Sequence, residues 1–280
     1  MTARRAGGAG GFTLIEVIVV IAVVAILASM AVPYAVKFID QGRVESTRRQ
    51  LVEIHDAIVG DPRVPTAGYV GDMGAMPPSL DSLFTRGTLQ PQTKGTLDAR
   101  YGWDGPYVRI GYSSNAFLFD GWGRSLRYNN PGAGQIRSEG PDRTLGTGDD
   151  IIYPPAAVVP AGRLLVNLYV WRTDNTTSQY VLNPQPGAFP GMQMDVRMYY
   201  SGNGVEAFKS FTGTPPTTGP PYLFTPTEPS PATPPAFSTH AGFHAVTATC
   251  TLPTNPPVSG QAVVYVPGNN RQTQVNLYLH

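Results

Sequence analysis

The sequence predicts an α+β protein in which one long N-terminal helix precedes many short strands. First, residues 17–36 form an uncharged, largely apolar run. Second, the following residues carry an apolar stripe at spacings of three and four, which is the period of one helix face. This stripe consists of Val44, Thr47, Leu51, Ile54 and Ile58. Third, the chain of 280 residues contains 31 Gly and 28 Pro with only 14% charged residues, a composition that favours short strands and turns after the helix.

The apolar run predicts a segment that is held in a membrane. Its 20 residues are about the number that a helix needs to cross a hydrocarbon core of roughly 30 Å. A cleaved signal peptide with a small-residue site at 29–31 is the alternative, but the run continues past that site. Glu16 also argues against a signal peptide, because an ionised side chain in such a segment costs at least about 2.5–3.5 kcal/mol unless it is paired.

Residues 11–16, with the sequence GFTLIE, resemble the cleavage motif of type IV pilins and type II secretion pseudopilins. The resemblance implies that a prepilin peptidase cuts after Gly11 and methylates the new amino terminus at Phe12. It also implies that Glu16 pairs with the terminal amine of a neighbouring subunit, and that Pro33 marks a kink in the helix. Residues 1–11 are then a leader peptide, and residues 12–60 are the membrane and filament helix.

The loop at residues 138–151 brings four carboxylates and three glycines together. Carboxylates so close in sequence repel one another unless a cation gathers them, and calcium takes six to eight oxygen ligands in flexible geometry. The spacing does not match an EF-hand. From spacing alone, a calcium loop and a solvated acidic turn are equally open interpretations.

The order GPYV, DGWGRSLRY and SEGPDRTLGTGDDI is similar to the C-terminal half of the major pseudopilin of type II secretion. This resemblance covers residues 11–153. It implies a head at residues 61–155, in which the long helix packs on a small antiparallel sheet with a calcium loop and Glu139 faces solvent. The implied calcium ligands are the side chains of Asp142, Asp149 and Asp150, together with carbonyls near Leu126 and Ser138. The resemblance does not indicate which of Asp149 and Asp150 faces the ion.

Residues 161–280 depart from that family and predict an all-β, sandwich-like domain. About seven alternating runs are separated by turn residues, which suggests an immunoglobulin-like or transthyretin-like sandwich. The last two runs flank residues 267–270, which predict a hairpin turn. His240 and His244 lie near each other, but without a third ligand nearby we interpret them as a surface pair rather than a metal site.

The sequence predicts a structural protein rather than an enzyme. It contains no HExxH pair, nucleophile elbow or phosphate-binding glycine loop. A net charge of +1 gives no broad electrostatic case for binding nucleic acid, and the single cysteine, Cys250, excludes an intramolecular disulfide.

The predicted role is a subunit of a type II secretion pseudopilus or related pilin-like filament. The chain would be held in the inner membrane with its head in the periplasm. An inner-membrane assembly platform would then add it to a helical homo-oligomer, a periplasmic or extracellular filament. One alternative is an extracellular type IV-like pilus subunit whose C-terminal domain is adhesive or coats the surface. Another is a monomeric membrane-anchored or exported protein that binds calcium or carbohydrate.

Overall fold

The structure is a computed structural model. It describes residues 13–61, 68–108, 116–128, 134–157, 161–173, 178–182, 191–213, 222–224, 239–252, 255–268 and 271–280. The predicted leader, together with Gly11 and Phe12, lies outside the described residues.

The first element is a single helix, α1 (Leu14–Val59), of 46 residues. At 1.5 Å per residue this helix is roughly 70 Å long. It passes through Pro33 and Gly42 without interruption and ends at Gly60, whose φ of 89° lies outside the helical region. The prediction of a long N-terminal helix is therefore confirmed.

The two halves of α1 differ in burial. From Leu14 to Ile39 every side chain is exposed. The second half carries the predicted apolar stripe, and its buried members are Thr47, Leu51, Ile54, Ala57 and Ile58. Only the second half is therefore packed by the rest of the chain.

The head is built from short elements. A second helix, α2 (Gly68–Met73), is followed by 3₁₀ turns at Leu80–Leu83, Thr96–Asp98 and Ala116–Leu118. Strands β1 (Thr93–Lys94) and β2 (Arg100–Tyr101) form one antiparallel pair. Strands β3 (Arg127–Tyr128), β4 (Ile136–Ser138) and β5 (Ile151–Tyr153) form a three-stranded antiparallel sheet.

The three-stranded sheet packs against the second half of α1. Ile136 and Ile151 share a buried cluster with Leu51, Ile54 and Ile58. Burial of these aliphatic side chains contributes roughly 1.5–3 kcal/mol each, so this cluster is the main stabilising contact between the helix and the head.

Residues 161–280 form two sheets. Strand β6 (Ala161–Thr173) is the centre of the first, and pairs with β7 (Ser178–Leu182), β10 (Tyr222–Phe224), β11 (Thr239–His240) and β14 (Gln272–Leu279). The second sheet has the order β13 (Asn255–Val266), β12 (Gly242–Leu252), β8 (Gln193–Gly202) and β9 (Val205–Gly213).

The two sheets enclose one apolar core, so the region is sandwich-like as predicted. Every second residue of β6 points inward, from Leu164 to Val170. Met194, Met198 and Cys250 come from the second sheet and belong to the same buried cluster. The alternating methionines therefore fill a core.

The predicted hairpin at residues 267–270 is wrong. Strand β14 does not pair with β13; it crosses to the other sheet and runs parallel to β6, with Gln272 opposite Arg163 and Leu279 opposite Val170. The physical reason is that Leu277 and Leu279 reach the shared core from this position, where both are buried.

The head and the sandwich are in contact through α2, the end of β8 and the turn after β8. The Ser201 hydroxyl donates to the Asp72 carbonyl at 2.5 Å, and the Gly204 amide donates to the Met73 carbonyl at 2.9 Å. Gly74 lies so close to this turn that an added Cβ would overlap the Ser201 carbonyl, and its φ of +69° also favours glycine. A side chain at position 74 would therefore force the two regions apart.

Candidate functional site

The first half of α1 is an apolar surface that the chain itself does not cover. It belongs to a helix long and apolar enough to cross a membrane, and none of its most apolar stretch is buried. Leu14 and Phe38 are each 77% exposed. An apolar surface of this extent in a folded protein marks contact with a membrane or with other protein.

Glu16 forms a capping box at the start of this helix. The Thr13 amide and the Thr13 hydroxyl both donate to Glu16 Oε2 at 3.0 Å, while the Glu16 amide donates to the Thr13 hydroxyl at 3.4 Å. No described residue donates to Glu16 Oε1. The sequence reasoning missed this local role, although Thr-x-x-Glu before an apolar run is a known capping signal.

Residues 8–32 match the family of the prokaryotic N-terminal methylation motif. This motif and the exposed apolar helix fit a type IV pilin-like protein. No curated protein and no solved structure matches the chain. The match thus supports the N-terminal part of the predicted resemblance; it ends before the head, the acidic loop and the sandwich.

The predicted calcium ligands Asp142, Asp149 and Asp150 lie in one loop between β4 and β5. The Asp142 amide donates to Asp149 Oδ2 at 2.9 Å, and the Thr147 hydroxyl donates to Asp149 Oδ1 at 2.7 Å. These two bonds hold the pKa of Asp149 below its ordinary value, the amide having the larger effect. The Gly146 amide donates to Asp150 Oδ2 at 2.8 Å.

The other two predicted ligand positions lie at the base of the loop. Ser138 is buried, and its hydroxyl donates to Asp120 Oδ2 at 2.6 Å. Leu126 is also buried, and its amide donates to the Leu118 carbonyl at 2.8 Å. Ser138 is thus the last residue of β4, where the acidic loop begins, whereas Leu126 precedes β3 and belongs to the buried cluster between the helix and the head.

The expectation that Glu139 faces solvent is wrong. Glu139 is buried and accepts from Arg124 at 2.8 Å and from Arg127 at 3.1 Å. The same Arg124 group donates to the Arg143 carbonyl at 2.8 Å. Two arginines replace water around this carboxylate, which is why it can be buried, and they join the sheet to the acidic loop.

The loop contains the oxygen ligands that a hard cation prefers, but these oxygens do not converge on one point in the structure. Asp150 Oδ1 is buried and has no hydrogen-bond partner, and an anionic oxygen in this position is a natural ligand for a hard cation. Among the described residues, however, no three acidic, histidine or cysteine side chains converge closely enough to hold a metal. Calcium binding would need the carboxylates of Asp142, Asp149 and Asp150, which accept from amides of their own loop, to converge on one point.

Asp120 is a structural residue of this region that the sequence analysis did not single out. Its Oδ1 accepts from the amides of Trp122 and Arg124 at 3.0 and 2.9 Å, and its Oδ2 accepts from Ser138. The signal was present, because an aspartate before a Gly-x-Gly sequence favours a turn that its own carboxylate closes.

The two histidines of the sandwich are not a surface pair, contrary to the prediction. His244 is buried, and its ring contacts the Thr239 hydroxyl at 2.8 Å and the carbonyls of His240 and Tyr199 at 2.8 and 3.2 Å. Burial lowers the pKa of His244 to about 4. This side chain is therefore a neutral structural group inside the fold.

Proposed function

We propose that this chain is a structural, non-catalytic subunit of a type II secretion pseudopilus or a closely related pilin-like filament. The observation that carries the proposal is the exposed apolar half of α1, most of which falls within the methylation-motif match at residues 8–32. The same surface serves in two environments. It holds the subunit in the inner membrane, and it then packs against the helices of neighbouring subunits in the filament core.

The proposed path begins with a prepilin peptidase that cuts after Gly11 and methylates the amine of Phe12. An inner-membrane platform then moves the helix from lipid into the growing filament, with the head on its periplasmic side. Lipid and packed helices are similarly apolar, so the transfer needs a specific polar contact to set the register. We propose that the Glu16 carboxylate provides it by pairing with the Phe12 amine of a neighbour.

The first test is the N-terminal sequence and intact mass of the native protein. We expect a chain that begins at Phe12 and carries one added methyl group. A chain that begins near Val32 would contradict the proposal, because it would indicate an ordinary signal peptide and an exported soluble protein.

The capping box makes a sharper test of Glu16 possible. Glu16→Gln keeps a side-chain oxygen that can accept from Thr13 but removes the charge, whereas Thr13→Ala removes the capping hydroxyl and keeps the charge. If Glu16 pairs with a neighbouring amine, Glu16→Gln is cleaved normally yet forms few filaments, and Thr13→Ala assembles. Normal filaments from Glu16→Gln would assign Glu16 to helix capping alone. Immunoblots of sheared or crosslinked filaments measure the result.

We also propose that calcium binds the acidic loop through Asp142, Asp149 and Asp150, with carbonyls near Leu126 and Ser138. The support is the orphaned Asp150 oxygen and the carboxylates beside it. Calcium at 100 times its dissociation constant would raise the free energy of unfolding by about 2.7 kcal/mol. Melting of the full chain with calcium or chelator measures this, with Asp149→Asn as the loss variant and exposed Asp81→Asn as the control. Identical curves for the wild-type chain in both conditions would rule calcium out.

An extracellular type IV-like pilus is the second candidate, and the size of the β-sandwich favours it, because a large added domain suits adhesion or a surface coat. A secretion defect on deletion without visible surface filaments supports the pseudopilus, while labelled surface filaments support the pilus. A monomeric anchored or exported protein that binds calcium or carbohydrate belongs to another class. It would be supported if Glu16→Ala left both processing and the assembly state unchanged.

A further inference from the structure

A cavity of about 430 Å³ lies where the head meets the sandwich. The head contributes α2 and the segment around β2, and the sandwich contributes one residue from β12 and one from β13. The wall includes three acidic side chains, one arginine and two large apolar side chains, which are Asp72, Asp98, Asp104, Arg100, Phe243 and Val263. The cavity therefore combines acidic and apolar surface.

Asp72 is the most buried of the acidic groups in this cavity, and it lacks a cationic partner among the described residues. Its Oδ2 accepts from the Tyr107 hydroxyl at 2.9 Å, and that hydroxyl accepts from the Asp104 amide at 2.9 Å. No described residue donates to Asp72 Oδ1. Burial raises the pKa of Asp72 to about 7, and the nearby Asp104 charge adds to this effect although the Tyr107 hydrogen bond opposes it. Asp72 is thus a carboxyl group that a cation would stabilise.

The other charged groups of the cavity do not supply that cation. Asp98 pairs with Lys94 at 3.2 Å on the exposed rim, and Asp104 is exposed and adds negative charge. Arg100 makes no ion pair with Asp72. Because Asp98 is already paired with Lys94, Asp72 and Asp104 face Arg100 alone, and the cavity favours a cationic guest over an anionic one.

We propose that this cavity binds the ammonium group of a small organic amine. The ammonium donates to Asp72 and faces Asp104, since an ammonium group has three N–H donors and no acceptor. The alkyl portion lies against Phe243 and Val263, where its burial contributes about 0.8 kcal/mol per CH₂ group. This site is independent of the filament proposal, because none of the residues that line it belongs to α1 or to the acidic loop.

The test is isothermal titration calorimetry on the full-length processed chain in a non-ionic detergent. The probes are n-butylamine and n-hexylamine, with n-butanol and n-hexanol as neutral controls. We expect the amines to bind and the alcohols to bind at least tenfold more weakly, because a hydrogen bond to a charged group contributes about 1.5–3 kcal/mol. Hexylamine, with two more CH₂ groups, should bind up to about fifteenfold more tightly than butylamine. Equal binding of amine and alcohol, or no binding of either amine at millimolar concentration, would overturn the proposal.

Substitutions on opposite walls test the two parts of the site. Asp72→Asn should weaken amine binding at least tenfold, and Phe243→Ala should weaken hexylamine more than butylamine. Asp81→Asn removes an exposed carboxylate elsewhere in the head and should leave binding unchanged. If Asp72→Asn does not fold, Phe243→Ala alone tests the site, by whether it abolishes the tighter binding of hexylamine over butylamine. Binding that survives both substitutions would show that the amine binds elsewhere.

The pH dependence supplies a further readout. The amine requires ionised Asp72, so wild-type affinity should rise about tenfold from pH 6 to pH 8, through the pKa of about 7. Asp98, Asp104, Arg100 and Tyr107 also face the cavity and remain in Asp72→Asn. That variant should therefore show a flat profile, and an equal rise in it would remove Asp72 from the site.

Discussion

The two halves of α1 belong to one continuous helix but have opposite relations to the rest of the chain. Residues 17–33 contain no ionisable side chain, and all of them are exposed. In the second half, Leu51, Ile54 and Ile58 are fully buried against the head. The first half therefore depends on lipid or neighbouring subunits for cover, while the second half is stabilised by its own chain.

This difference separates assembly from folding along a single element. Polar contacts of the second half fix its position on the head, since Thr47 and Gln50 bond to the segment at residues 117–121. The first half has only the capping box at its start and local bonds along the helix. Substitutions in the two halves should consequently affect different measurements.

The largest expected effect comes from comparing an isoleucine-to-alanine substitution in each half of α1. Ile54→Ala should lower the free energy of unfolding of the head by about 2–5 kcal/mol, because it leaves a cavity beside Leu51 and Ile58. Ile21→Ala removes the same atoms from a side chain that is 62% exposed and should change head stability by less than about 0.5 kcal/mol. Thermal melting of the full-length chain in detergent measures both.

Filament yield is the second measurement for Ile54→Ala and Ile21→Ala. Ile21→Ala should reduce filament yield because it lies on the proposed assembly surface, although the head remains folded. If Ile21→Ala lowered the melting temperature of the head as much as Ile54→Ala, the separation between the two halves would be false.

The sequence predicted the parts of the fold that depend on local periodicity. The apolar run and the stripe from Val44 to Ile58 specify α1, and the alternating runs specify the long strands of the sandwich. Pairing between distant strands is not a local property. The turn at residues 267–270 therefore suggested a hairpin, whereas burial of Leu277 and Leu279 beside β6 determines where β14 lies.

The candidate site shows the same limit. The GFTLIE motif was recognisable because its residues are adjacent, and it falls within the matched methylation motif. Burial of Glu139 was not recognisable, since its arginine partners lie 12 and 15 positions away. The Asp72 cavity is lined by residues of both the head and the sandwich. No single stretch of sequence therefore indicates it. The predicted roles of Gly11, Phe12 and Pro33 remain predictions.

A smaller effect is expected from the polar contacts that fix the second half of α1. Gln50 Nε2 donates to the carbonyls of Phe117 and Phe119, both at 2.8 Å. Gln50→Ala leaves these carbonyls without that donor and should cost about 1–2 kcal/mol in the free energy of unfolding. Gln41→Ala, at an exposed position of the same helix, is the matched control and should have little effect. Equal melting curves for the two variants would mean that apolar packing alone positions the helix.

The smallest effect is a pH dependence confined to the packed half. His55 lies edge-on to the Tyr153 ring, with centroids 5.1 Å apart, and burial lowers its pKa although Asp56 opposes this. Its folded pKa lies below the unfolded value of about 6.5. The unfolded chain therefore binds the proton more readily as pH falls below that value, and the head loses stability.

His55→Gln isolates this contribution. The stability of wild type relative to His55→Gln should fall between pH 7.5 and pH 5.5, because only the wild-type chain takes up this proton on unfolding. Asp72, whose raised pKa acts in the opposite direction, and His244, whose pKa is lowered, are present in both proteins. Their contributions cancel in the difference. If the difference in the free energy of unfolding between wild type and His55→Gln stayed constant with pH, His55 would contribute through packing alone and not through its protonation. In either case residues 17–33 of the first half contain no ionisable side chain, so the membrane association of this half should be the same at both pH values.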